Sequence, residues 1–189
     1  MKFCKTDIED VVIIEPDCHS DNRGFFMESF SKLNYQKIGI DTDFIQDNLS
    51  YSALKGTLRG IHFQNDPCSQ AKIVSCLKGK IIDIAVDLRK GSPTYKKWVY
   101  VELSEENKKQ VYIPRGFGHA FITLTNDVLF SYKVDNYYSK ENDRGIKYDD
   151  PDINIDWNKL SGGLELTLSE KDKNNPLLKD SDCNFTYKK

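Results

Sequence analysis

Neither charge dominates this chain, and the near balance closes off one class of partner. Lys and Arg number 27 against 29 Asp and Glu, a formal net charge of −2. That leaves no electrostatic footprint for a nucleic acid, though a local basic cluster could still hold a small anion. Long apolar runs are missing too. The opening residues, MKFCKTDIEDVVIIEP, break a short hydrophobic stretch with charges, which fits neither a signal peptide nor a membrane span. Cysteine is scarce: Cys4, Cys18, Cys68, Cys76 and Cys183 make an odd set of five without a C-x-x-C pair. They read as the reduced thiols of a cytoplasmic protein, not as disulfides or zinc ligands. No G-x-G-x-x-G opens a helix, and neither G-x-x-x-x-G-K-[ST] nor G-x-S-x-G occurs. Rossmann cofactors, nucleotide hydrolysis and serine hydrolase chemistry therefore lack support.

What the chain has in quantity is aromatic and β-branched sequence. Ten Tyr and ten Phe among 189 residues favour an ordered, β-rich domain with a real core. The spacing predicts a first strand over 8–14, an aromatic strand over 21–30, and a short helix over 31–39 ending at Gly39. Residues 46–64 read as two strands joined around Gly56. The clearest β-signal is 71–93, where Ile82, Ile84, Val86 and Leu88 alternate with Ile81, Asp83, Ala85 and Asp87. If the second face meets solvent, Asp83 is an ordinary surface carboxylate; if it lines a barrel, Asp83 is a candidate site residue. Strands at 98–103, 110–114, 119–125 and 129–138 follow, then a looser tail with a short helix in 168–176. Many short strands with turn punctuation predict an antiparallel jelly roll.

Only three histidines are available: His19, His62 and His119. His19 lies in a polar turn and reads as surface, whereas His62 and His119 sit on strands. The run QDNLSYSALKGTLRGIHFQ (46–64) places Arg59 and His62 within apolar sequence, where ionisable groups are costly unless they serve a site. PRGFGH (114–119) has the P-x-G-x-x-H spacing of metal-binding cupins. The matching H-x-H with a following glutamate is absent: His62-Phe63-Gln64 leads into NDPCSQ. Two imidazoles and an amide make a poor divalent-metal site, so neither metal nor cofactor is expected. The remaining set, His, Lys, Tyr, Asp and several arginines, suits proton transfer beside a carbonyl.

RGFFMESF, QDNLSYSALKGTLRGIHFQ, QAKIVSCLKGKIIDIAVDLRKGSPTY, IPRGFGHAFITL, YKVDNYYS and DDPDINIDW, in this order, closely resemble the dTDP-4-dehydrorhamnose 3,5-epimerase family from about residue 8 to 176. The resemblance implies a single cupin-like jelly-roll domain over 1–189 and a homodimer exchanging N-terminal strands within 1–30. Residues 139–189 would form a C-terminal extension with short helices. It implies that His62 is the base for the C3 and C5 protons of a dTDP-4-keto-6-deoxyhexose, the alternative being a mono-epimerase at C3 or C5 or a 3,4-ketoisomerase of a related dTDP-4-keto sugar. Asp172 would orient that base, Lys72 would hold the enolate oxygen, and Tyr132 would be the acid on the other face. Arg23, Phe26, Glu28, Gln46, Asp47, Asn48, Arg59, His119, Tyr138, Asp143 and Lys171 would hold the nucleotide or sugar, with Arg23 and Phe26 reaching the partner's site. Asp143 stands where family members often carry glutamate, and Glu141 is close by. One conflict is visible. Strict alternation puts His62 and Arg59 on opposite faces, and a bulge at Gly60 would bring them together.

Overall fold

Short β-prone runs, some alternating and some buried on both faces, build thirteen strands, and the computed structural model describes them within residues 1–187. Residues 188 and 189 of the expected 1–189 domain lie outside the described residues. In chain order the strands begin with β1 (Lys2–Lys5), β2 (Val12–Glu15), β3 (Cys18–Asp21) and β4 (Gly24–Met27). Helix α1 (Lys32–Gln36) precedes β5 (Gln46–Ser52), β6 (Leu58–Gln64), β7 (Lys72–Lys78), β8 (Lys80–Asp87) and β9 (Trp98–Ser104). Then come β10 (Gln110–Ile113), β11 (Phe117–Thr123), β12 (Val128–Val134) and β13 (Asp143–Gly145), followed by α2 (Trp157–Ser161) and α3 (Glu170–Lys173). The pairing among them is antiparallel. One sheet runs β1-β2-β10-β7-β12-β5, the other β13-β6-β11-β8-β9, and β3-β4 forms a hairpin of its own. The mainly β, cupin-like jelly-roll class holds.

Local differences from the sequence reading have physical causes. The predicted strand at 8–14 is later and shorter, because Thr6 and Val11 close a turn through Thr6 N–H to Val11 O at 3.2 Å. The run 71–93 folds back on itself at Gly79, whose φ of +79° and close neighbours Thr125 and Val128 admit only glycine. β1, β13 and α2 carry no strong periodic signal of their own and were not anticipated.

β8 shows why its two faces were hard to rank. Ile82, Ile84 and Val86 do not face the space between the sheets. They pack outward with Leu58, Ile61 and Ile122 under Ile153, Ile155, Trp157, Leu178 and Phe185 of the C-terminal segment. The inward face carries Ile81 and Ala85 against Val74, Val111, Phe121 and Phe130. Both faces are therefore core, and Asp83 between Ile81 and Ala85 is only 2% exposed. A third cluster closes the outer face of the larger sheet, where Tyr35 and Ile40 cover Ile14 and Ile73.

The bulge falls at Gly60. His119 opposes His62 and Phe121 opposes Arg59, so three steps along β6 match two along β11. Gly60 has φ +124°, and a Cβ there would lie 2.5 Å from that of Ala120. With the extra residue, Leu58, Ile61 and Phe63 all join the outer cluster while Arg59, His62 and Gln64 line the inside.

Candidate active site

Strands from both sheets enclose a cavity of about 230 Å³, with Arg59, His62 and Gln64 from β6, Lys72 from β7, His119 from β11 and Tyr132 from β12 on its wall. Tyr138 and Asp143 complete the rim, with Ser50 and Gln70 beside them. The segments are far apart in sequence. The antiparallel register brings them together.

The two strand histidines each have a carboxylate partner. His62 Nε2 lies 2.5 Å from Asp172 Oδ1. Asp172, 3% exposed, sits on α3, and Ser169 caps that turn: its Oγ donates to Asp172 Oδ2 at 2.9 Å and accepts from Asp172 N–H at 3.1 Å. Burial alone would raise the Asp172 carboxyl, but the bond and charge of His62, with Ser169 and Lys171, hold it below the ordinary value. An ionised carboxylate fixes the Nε2–H tautomer, which leaves Nδ1 with the lone pair that can accept a proton.

Burial pushes the Lys72 ammonium down to about 8, and the charges of Asp83 and Asp143 limit the drop. Its Nζ stands 5.7 Å from the centroid of the Tyr132 ring. The Tyr132 phenol is raised, by burial first and then by Asp143, with Arg59 opposing. It therefore stays protonated at neutral pH and is able to donate. His119 is buried, its Nε2 is 2.8 Å from Asp83 Oδ2, and desolvation lowers its pKa against the pull of Asp83. Asp83 thus backs the cavity wall through His119, a position the family resemblance did not assign. Its signal was the period-two alternation of β8, which left its face unassigned.

The remaining expected residues divide into three sets. Arg59, Tyr138, Asp143 and His119 line the cavity. Gln46 and Asn48 share a hydrogen bond of 2.8 Å on the inward face of β5, with Asn48 opposite Tyr132, and Lys171 pairs with Asp143 at 2.6 Å. Glu141 does not line the cavity; its carboxylate accepts from Ser139 Oγ at 3.2 Å. Asp47 departs from expectation. It faces outward from β5, exposed, and its carboxylate pairs with Lys133 at 2.8 Å, because neighbours on a strand point to opposite faces. Arg23, Phe26 and Glu28 do not reach the cavity of their own chain. Arg23 forks onto Asp21 at 2.7 Å, Phe26 is 72% exposed, and Glu28 accepts from Asn34 Nδ2 at 2.8 Å. His19 is exposed as expected, on β3 and not in a turn.

Among the described residues no group of three or more His, Cys, Asp or Glu side chains could hold a metal ion. A carboxylate-fixed imidazole, an ammonium of lowered pKa and a buried phenol around one cavity in a cupin-like jelly roll define the class: an isomerase built for proton transfer. The comparisons narrow that class. The model of the dTDP-4-dehydrorhamnose 3,5-epimerase family matches residues 5–180. A dTDP-4-dehydrorhamnose 3,5-epimerase of Sinorhizobium fredii is 47% identical over 189 residues, all of this chain and 95% of the relative. The crystal structure of dTDP-6-deoxy-D-glucose-3,5-epimerase from Legionella pneumophila, in complex with dTDP-4-keto-L-rhamnose, superposes with a TM-score of 0.90 at 46% identity, covering 96% of this chain and 94% of that one. A 3'-monoepimerase from Streptomyces bikiniensis, in complex with dTDP-quinovose, is also similar, at 36% identity and a TM-score of 0.84, covering 93% and 87%. The chain belongs to the dTDP-4-dehydrorhamnose 3,5-epimerase family.

Proposed function

We propose that this protein epimerises C3 and C5 of dTDP-4-dehydro-6-deoxy-D-glucose, giving dTDP-4-dehydro-L-rhamnose. The observation that carries the reading is the His62–Asp172 pair facing the same cavity as Lys72 and Tyr132. Both reacting carbons neighbour the C4 ketone. His62 Nδ1 takes the carbon-bound proton, the electron pair moves onto the C4 oxygen, and the Lys72 cation stabilises the resulting enolate. Tyr132 returns a proton to the opposite face of the carbon; His62 then releases the abstracted proton to solvent and solvent reprotonates the Tyr132 phenolate, which resets both groups for the second carbon. One base and one electron sink serve both positions in turn. His119 and Asp83 form the buried wall beside Lys72, and Arg59 supplies a planar fork for the diphosphate. Gln46, Asn48 and Lys171 extend the ligand-holding surface, and the Tyr138 ring stacks on the thymine.

The hairpin completes the site from a second copy. Among the described residues β3 and β4 pair only with each other and leave Phe25 and Phe26 exposed, which supports a homodimer in which Arg23 and Phe26 serve the partner's cavity. A cytoplasmic setting fits the five free thiols. No helix among the described residues is long and apolar enough to cross a membrane.

Incubation with the 4-keto sugar nucleotide in D₂O, followed by NMR, tests the assignment. Deuterium is expected at both C3 and C5. Incorporation at C3 alone would replace this reading with that of a mono-epimerase, the activity carried in the name of the Streptomyces bikiniensis neighbour.

A further inference from the structure

Gln64 occupies the place where a metal-binding cupin has its second histidine, and its amide is committed to other bonds. It is 5% exposed, lines the cavity and follows His62 on the inward face of β6. Its Nε2 donates to Cys68 O at 2.7 Å and to Tyr137 O at 3.2 Å, while its Oε1 accepts from Ser139 N–H at 2.7 Å. Both amide hydrogens and an acceptor lone pair are thus spent on backbone. Two of the three partners, Tyr137 and Ser139, flank Tyr138. That residue has no buried anchor of its own: it is 59% exposed, yet it borders the cavity. The neighbouring bonds reinforce the fork. Gln70 Nε2 donates to Asn136 O at 2.8 Å, and Asn142 Nδ2 donates to Ser139 Oγ at 2.9 Å.

We propose that Gln64 is the positioning residue for Tyr138, holding the backbone on either side so that the ring overhangs the cavity rim. On this view Gln64 governs affinity for the nucleotide end of the ligand and leaves proton transfer at His62 untouched. An exposed ring on an untethered loop must be ordered when ligand binds, and that ordering lowers affinity; a loop fixed beforehand avoids the loss. The inference rests on the proposed function for one point, that Tyr138 meets the base.

Calorimetric binding of dTDP together with steady-state kinetics tests it. Gln64→Met keeps the length and removes the fork. The dissociation constant for dTDP is expected to rise on the order of tenfold, as loss of one base–aromatic contact would produce, and KM should follow while kcat changes little. Tyr138→Ala is expected to weaken dTDP to a similar degree. The double variant should be no weaker than Tyr138→Ala alone, since a residue acting through Tyr138 has nothing left to position. If Gln64→Met does not fold, Gln64→Glu carries the same comparison, because a carboxylate keeps the shape and the acceptor but turns both donor bonds into repulsions. Additive losses in the double variant, or a fall in kcat equal to the rise in KM, would overturn the inference. So would tight dTDP binding by both Gln64 variants. A wild-type chain that binds no dTDP would overturn the proposed function, and the inference with it.

Discussion

The cavity and the β3–β4 hairpin carry the same kinds of side chain under opposite conditions. In the cavity the key pairs join distant segments: Asp172 meets His62, 110 residues away, and His119 meets Asp83, 36 residues away, while Ser169 fixes Asp172 locally. In the hairpin, Arg23 finds only Asp21, two residues away, and the Phe26 ring lies in the open. An arginine and two phenylalanines on a two-stranded ribbon do little for stability, because an isolated hairpin is marginal in water and an exposed ion pair contributes little. The contrast separates what one chain brings to its own cavity from what the proposed dimer would add. His62, Lys72 and Tyr132 line that cavity within one chain, with Arg59 and Tyr138 beside them, whereas on the proposed reading Arg23 and Phe26 would come from a second copy.

The sharpest way to break that contrast is to separate the two regions genetically. His62→Ala is expected to lower kcat by about 10²–10⁴-fold, the ordinary worth of a positioned base. Arg23→Ala should raise KM instead. When the two inactive or weakened chains are mixed and their subunits exchanged, a dimer with swapped hairpins regains one intact site per mixed pair. At substrate well below the KM of the Arg23→Ala chain, activity should then recover to roughly a quarter of wild type, the statistical yield for a two-fold dimer. No recovery would mean that each hairpin serves its own chain.

pH probes the cavity by itself. A lysine is cationic below its pKa, and Lys72, pushed down to about 8 by burial, loses its charge as pH rises through that value. Because the enolate needs the cation, kcat/KM should be level at neutral pH and fall on an alkaline limb near pH 8. Lys72→Arg should move that limb to higher pH, since a guanidinium stays charged throughout. A limb that does not respond to Lys72→Arg belongs to another group.

The legibility of these two regions differed for physical reasons. Strands β9 to β12 were readable because each is a short β-prone run between turn signals; ionisable groups inside apolar sequence pointed to Arg59 and His62, and the family resemblance supplied Lys72, Tyr132 and Asp172. The bulge was foreseeable from Gly60 because a glycine inside a strand marks close approach, and Ala120 supplies it. Asp83 was not assignable, since choosing its face required knowing that the C-terminal segment covers the other one. β13 escaped notice because a three-residue strand has no period to detect; it exists because β6 offers a free edge at Phe63 and Gln64. Sequence resemblance also placed Asp47 in the ligand site beside Asn48, ignoring the parity of the strand that carries them.

That parity yields the smallest expected effect, and the most local form of the comparison. Asp47 and Asn48 are adjacent on β5, one outward against Lys133 and the other inward beside Tyr132 and Gln46. Asp47→Ala removes an exposed ion pair worth about 0–1 kcal/mol and no group from the cavity, so KM and dTDP affinity should stay within about twofold. Asn48→Ala removes a polar group beside the reacting centre and leaves Gln46 without its hydrogen-bond partner. Loss of such a bond costs on the order of 1 kcal/mol, a several-fold rise in KM. The two variants differ by one residue in position and little in size, which makes the side of the sheet the variable being tested. Equal losses would mean that β5 presents its other face to the ligand, and that the inward assignment of Gln46, Asn48 and Ser50 has to be reversed.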